Sequence, residues 1–187
     1  MLDKILFAIK EAKDQGIIKL RFEDCRLLTK AVTALKYFCR TTSIIESLGL
    51  IRVSFSDGGS QDFKHLVEAV SFNTKISHFQ VQNTEFNEDY HGKTMANCIL
   101  QSRALKELDL SYVTFEDPKS FYEMANGLLN ERCRLASLKL KGIQFGQLEG
   151  KVMQFILMRN KSLQTLDLSQ CSTDSPENLE NVFCKFD

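Results

Sequence analysis

Leu105-Lys106-Glu107-Leu108-Asp109-Leu110 and Leu135-Ala136-Ser137-Leu138-Lys139-Leu140 are one pattern written twice, L-x-x-L-x-L. It recurs as Leu163-x-x-Leu166-x-Leu168, as Ile76-x-x-Phe79-x-Val81 and, further upstream, as Ile17-x-x-Leu20-x-Phe22. The last four copies begin 29, 30 and 28 residues apart, and the 59 residues from Ile17 to Ile76 leave room for one more. A degenerate copy lies in that gap, read either as Leu48-x-x-Ile51-x-Val53 or as Leu50-x-x-Val53-x-Phe55. A fixed period of this length means one supersecondary unit repeated, each burying its apolar side against the next.

The copy at Leu105 shows what the unit is. Along Leu105 to Ser111 the residues alternate, so Leu108 and Leu110 point to one side while Glu107, Asp109 and Ser111 point to the other, as in a strand. Val113 and Phe115 cover the way out of the strand. Asp117 then suits an N-cap and Pro118 the first helical position, where its missing N–H costs nothing. Phe121, Met124, Ala125, Leu128 and Leu129 form an apolar stripe at helical spacing that brings the chain back to the next strand. The other units read alike: Leu28, Ala31, Val32, Leu35 and Phe38 after the first strand; Met95, Cys98 and Ile99 after the third; Val152, Phe155 and Ile156 after the fifth. After the sixth come Ser175 and Pro176 as cap and first residue, with Leu179, Val182 and Phe183 behind them.

Taken together, the six copies resemble the leucine-rich repeat family, and a period of 28 to 30 with a full helix per unit is similar to its ribonuclease-inhibitor-like class. The resemblance implies an α/β right-handed solenoid, a horseshoe with parallel strands on the concave face and helices on the convex face. Strands are expected at about 18–22, 51–55, 77–81, 106–110, 136–140 and 164–168, with Leu108, Leu138 and Leu166 fully buried. The whole chain, 1–187, reads as a single domain: residues 1–16 as a helix, either a cap or the tail of a preceding repeat, then six repeats from 17 to 187. Neither end carries a distinct polar capping module, so the chain is expected to be part of a longer array. The family's Asn or Cys three residues after the last strand leucine is matched by Cys25 and Cys171, whereas Thr84, Val113 and Ile143 replace it elsewhere. The turns are therefore expected to be irregular.

Composition narrows the function. Lys plus Arg and Asp plus Glu number 24 each, and a general nucleic-acid or membrane-surface binder would show a basic excess. The opening stretch is too often interrupted by charge to span a bilayer and lacks a small-residue cleavage site, so neither membrane insertion nor secretion is expected. Six cysteines without a C-x-x-C suit reduced thiols in an intracellular, most simply cytoplasmic, protein. Asn160-Lys161-Ser162 is a glycosylation sequon only in form. No phosphate-binding, zinc-protease or nucleophile-elbow motif is present, and His65, His78 and His91 stand far apart, so no enzyme, metal or cofactor is expected.

The residues between the strand leucines form the open concave surface: Lys19, Arg21 and Glu23; Arg52; His78, Gln80 and Gln82; Glu107, Asp109 and Ser111; Ser137, Lys139 and Lys141; Thr165, Asp167 and Ser169. Their signs run basic, basic, neutral, acidic, basic, acidic from strand to strand, the sharpest contrast lying where Glu107 and Asp109 adjoin Lys139 and Lys141. A phosphate backbone would want one continuous positive stripe, so a protein partner with its own charge pattern fits better. The expected function is a non-catalytic interaction scaffold, a subunit or adaptor of an intracellular assembly. The resemblance also implies alternatives: actin-regulatory, ciliary or organellar assembly roles; the repeats of an innate-immune sensor or ubiquitin-ligase adaptor; and regulation of an enzyme, as in the GTPase-activating proteins of the Ran GTPase. A convincing rim Arg–Asn pair for the last of these is not apparent.

Overall fold

The computed structural model of the protein describes residues 6, 19–56, 59–86 and 89–173. The calls on residues 1–5 and 7–16, on Ile17 and on the cap and helix from Ser175 onward lie outside them.

Among the described residues six strands form one parallel sheet in the order β1 (Lys19–Glu23), β3 (Ser47–Ile51), β5 (His78–Gln82), β7 (Glu107–Asp109), β9 (Ser137–Lys139) and β11 (Thr165–Asp167). Between them lie two-residue strands, β2 (Arg26–Leu27), β4 (Ser54–Phe55), β6 (Glu85–Phe86), β8 (Thr114–Phe115), β10 (Gln144–Phe145) and β12 (Ser172–Thr173), which pair β2–β4, β6–β8 and β10–β12, also in parallel. Helices α1 (Thr29–Thr41), α2 (Gly59–Phe72), α3 (Asp89–Gln101), α4 (Pro118–Leu129) and α5 (Gln147–Arg159) return the chain to the sheet. In the six-stranded sheet each strand pairs with the one in the next repeat, so no strand is inserted out of order.

The leucines make the ladder. Leu20, Leu48, Phe79, Leu108, Leu138 and Leu166 are in register across the sheet. Leu48, Phe79, Leu108 and Leu138 are fully buried, but Leu166 is only half-buried. Its strand β11 is the last in the described sheet and has a neighbour on one side alone. A second ladder, of aromatics, runs behind the short strands: Phe55, Phe86, Phe115 and Phe145 interleave edge-on with Phe63 and Phe121 from the helices, ring centres 5.3 to 5.9 Å apart. Edge-to-face contact at such distances is the favoured aromatic geometry. The helices pack closely enough that a Cβ at Gly92 of α3 would fall 1.9 Å from the Ser120 carbonyl oxygen of α4. Asp117 caps α4 as expected, its Oδ1 accepting the Lys119 N–H at 2.9 Å ahead of Pro118. Two apolar residues assigned to helical stripes face outward instead. Leu28 precedes α1 as its N-cap, 59% exposed, and Phe155, 54% exposed, looks away from the sheet that Met153 and Ile156 bury against.

Two further expectations fail. The second strand is 47–51, not 51–55, and its motif is Ile45-x-x-Leu48-x-Leu50, 28 residues after Ile17 and 31 before Ile76. The run Ile51, Val53, Phe55 beyond it offered competing registers, but Val53 and Phe55 belong to the turn and to β4. The turns out of the strands are also regular rather than irregular. Asp24, Arg52, Asn83, Tyr112, Gly142 and Gln170 occupy the same place in successive repeats, and all have φ between 50 and 71°. Their backbone N–H groups are satisfied across the stack, Asp24 to Ile51 O, Arg52 to Gln82 O, Asn83 to Ser111 O, Tyr112 to Lys141 O and Gly142 to Ser169 O, at 2.7 to 3.1 Å. Because the neighbouring repeat's backbone closes the turn, a family Asn is not needed there.

Candidate binding surface on the concave face

Strand pairing sorts the outward side chains into rows. The first row is Lys19, Ser47, His78, Glu107, Ser137 and Thr165. The second is Arg21, Gly49, Gln80, Asp109, Lys139 and Asp167. A third begins Glu23, Ile51, Gln82, and Ser111, Lys141 and Ser169 follow it in the turns. Arg52 is not in these rows. It sits at a left-handed turn position, and its guanidinium reaches sideways to Glu23 Oε1 at 2.8 Å and to both carboxylate oxygens of Asp24. That contact holds the Asp24 carboxyl below the usual range. The row members missed by sequence reasoning are Ser47 and Gly49, both buried, and the Ile45-x-x-Leu48-x-Leu50 motif was the signal for them.

The rows divide at β7. Asp109 and Ser111, expected at the surface, are 5% exposed each. The Asp109 carboxylate accepts the Gln82 amide at 2.7 Å, the Ser111 N–H at 3.0 Å and the Ser111 hydroxyl at 2.6 Å. Glu107 is taken up by Lys139, Nζ to Oε1 2.6 Å, with His78 Nε2 4.0 Å from its other oxygen. The hydrogen bond to Glu107 raises the Lys139 ammonium above its ordinary pKa against the opposing effect of partial burial. Asp167 is lowered by hydrogen bonds from Ser169, whose N–H donates at 2.8 Å. Lys141 lies over the Tyr112 ring at 5.9 Å. The sharp contrast between Glu107, Asp109 and the lysines is therefore largely neutralised within the sheet.

On the other side of β7 the face is open. Lys19, Arg21 and His78 are exposed, Gln80 is half-buried, and between Arg21 and Gln80 stands Gly49, with no side chain. A Cβ there would come 3.2 Å from Gln80 Oε1 and 3.5 Å from Arg21 Cγ, so these two side chains lean over a buried Gly49 at the base of a depression. That depression, ≈ 490 Å³, is also lined by Lys19, Glu46, Ser47 and His78, and closed at its far end by the Glu107–Lys139 pair. Arg21 pairs with Glu23 at 2.8 Å but stays 55% exposed, worth little as an ion pair and free to turn to a ligand.

Other candidate chemistry is sparse. No group of three or more His, Cys, Asp or Glu able to hold a metal occurs among the described residues. No helix among them is long and apolar enough to cross a membrane. Cys25 and Cys171 are half-buried turn residues, and the Cys171 thiol donates to Leu140 O at 3.0 Å. Burial pushes the Cys39 thiol up to about 12 and Cys98 to about 11. Asn160, the sequon residue, spends its amide on Leu128 O and its carbonyl on the N–H groups of Ser162 and Leu163.

No family profile and no curated protein matches the sequence. Among solved structures the chain is similar to the tropomodulin C-terminal domain from Caenorhabditis elegans, with a TM-score of 0.50 and 14% identity, over 97% of this chain and 88% of that one. At that identity the likeness speaks for architecture alone. With the strand order and the register above, the protein has a leucine-rich-repeat-like α/β solenoid fold.

Proposed function

We propose that the chain is a non-catalytic protein-binding scaffold, a single solenoid spanning 1–187 that works as a subunit or adaptor in a cytoplasmic assembly. The observation that carries this reading is the Gly49 gap: a depression on a rigid parallel sheet, walled by Lys19, Arg21, His78 and Gln80. The buried leucines beneath hold those side chains at fixed spacing, which lowers the cost of ordering them on binding. Lys19 and Arg21 select an acidic group at one end of the bound segment, and the amide of Gln80 supplies both a donor and an acceptor beside it. Lys141, Thr165 and Asp167 extend the same surface beyond the neutralised centre, of which Lys139 is part.

The test is affinity capture from cells with the wild type and with Lys19→Glu/Arg21→Glu, followed by mass spectrometry and a thermal melt of each. Proteins held by the wild type and released by the variant at equal melting temperature are the expected result. An identical set of captured proteins would remove the concave face as the binding surface.

A further inference from the structure

Past the first helix-to-strand turn, 42–46, which carries Glu46, those at 73–77, 102–106, 130–136 and 160–164 close the same step in four successive repeats, so they lie along one edge of the solenoid. They hold six basic residues, Lys75, Arg103, Lys106, Arg132, Arg134 and Lys161, against one acidic residue, Glu131. All six are exposed. None of the six is in an ion pair among the described residues. The opposite edge is mixed: its strand-to-helix segments carry Asp24, Glu85, Glu116 and Asp117 beside Arg26, Arg52 and Lys141, with Arg52 bound to Glu23 and Asp24. The balance of 24 basic and 24 acidic residues therefore conceals one basic edge.

Complementing the helix dipoles accounts for only part of the basic edge, because that effect fades within the last helical turn. Lys106 and Arg134 lie beyond it, at the strand entrances, where the Lys106 N–H already bonds Ser77 O. The edge is also shaped. A depression of ≈ 600 Å³ is lined by Leu100, Ser102, Arg103, Arg132 and Arg134, and Glu131 joins it to a second of ≈ 380 Å³ that includes Leu129, Cys133 and Lys161. Arginines around partly apolar hollows are the composition of protein interfaces.

We infer that this edge is a second interaction surface, taking an acidic segment of another protein whose carboxylates meet the turn arginines and whose apolar side chains fill the two hollows. A nucleic acid fits less well. The hollows between the arginines are lined in part by Leu100 and Leu129, apolar surface that a phosphate backbone leaves unused and a peptide's apolar side chains cover. The inference rests on the reading of the chain as a protein-binding scaffold but uses a surface other than the concave face, so the capture experiment on Lys19 and Arg21 leaves it untouched.

The probe is a fluorescein-labelled peptide of about 16 residues repeating Glu-Asp-Leu-Glu, titrated with the full chain by fluorescence anisotropy beside a Gln-Asn-Leu-Gln control. Saturable binding of the acidic peptide alone is expected, weakening about tenfold or more between about 50 and 300 mM salt. Arg103→Glu/Arg132→Glu/Arg134→Glu should weaken it by about tenfold or more, whereas Lys64→Glu/Lys151→Glu on the outer helices should leave it within about twofold. If the triple reversal lowers the melting temperature, Arg103→Gln/Arg132→Gln/Arg134→Gln is read in its place with the same expectation. The inference is overturned by absence of binding, by binding indifferent to the three arginines, by loss in Lys19→Glu/Arg21→Glu with the edge intact, or by a single-stranded oligonucleotide of about 20 thymidines binding more tightly than the peptide.

Discussion

Every repeat turns twice, and the two turns are built differently. Out of the strand, the chain passes through one left-handed residue, in turn Asp, Arg, Asn, Tyr, Gly and Gln, and in the first five the next repeat's backbone takes its N–H. Back from the helix, backbone bonds such as Lys106 N–H to Ser77 O are joined by side-chain closures. Asn73 donates its amide to Cys39 O and Thr42 O of the preceding repeat, while its carbonyl accepts the N–H groups of Lys75 and Ile76. Asn160 repeats the device with Leu128 O, Ser162 and Leu163. The residues that follow the five helices are Thr42, Asn73, Ser102, Asn130 and Asn160, and of these Asn73 and Asn160 bridge repeats through their side chains. The exposed positions beyond them carry the Lys and Arg of the basic edge.

The largest effect expected from this difference is at Asn73, which is 3% exposed. Asn73→Ala leaves two carbonyls and two N–H groups without their partner, and should cost about 2–4 kcal/mol in a urea melt. A cost below about 1 kcal/mol would mean that water replaces the bridge, and the contrast between the turns would be lost. Next comes Asn83, exposed and left-handed with φ 51°. Asn83→Gly should stay within about half a kcal/mol, while Asn83→Val should cost about 1–2 kcal/mol, because a branched side chain is forced into the left-handed region. Equal costs for the two would show that the Asn side chain, not the backbone conformation, makes that turn.

The smallest effect concerns the thiols. Cys39, whose carbonyl Asn73 takes, is buried with its pKa pushed up to about 12 from 9.0. The folded state therefore favours the protonated thiol: that contribution is complete below pH 9 and is lost as pH rises from 9 toward 12, where the unfolded chain ionises first. Stability should fall over this range, and Cys39→Ala should shrink the loss between pH 8 and 10 by about 1 kcal/mol. Half-buried Cys171, in the other kind of turn, should change that slope less, and it should be alkylated by iodoacetamide ahead of Cys39. Faster labelling of Cys39 would place its helix end in exchange with solvent.

Much of the architecture is legible in the chain. The spacing of Leu105, Leu135 and Leu163 marks the strands, and Asp117-Pro118 marks the start of α4. The second strand was misplaced by four residues because Leu48, Leu50, Ile51, Val53 and Phe55 satisfy several registers at once. What excludes the others is the left-handed turn at Arg52, and Arg has no sequence signature for that conformation. The outward rows are legible as well, since alternation along a strand is a property of neighbouring residues. Which outward residues neutralise one another is not: Glu107 meets Lys139, and Gln82 meets Asp109, across separations of 32 and 27 residues.

The sequence by itself determined the period, the unit and the inward face, because burying leucines at every third and second position depends only on local chain geometry. Only the tertiary structure decided which charges are spent and which remain. Stacking brings residues from different repeats to strand spacing, and a carboxylate's fate depends on who stands beside it. Asp109 was thereby drawn into the sheet, Gly49 left a gap between its neighbours, and six basic side chains from four turns came to share one edge.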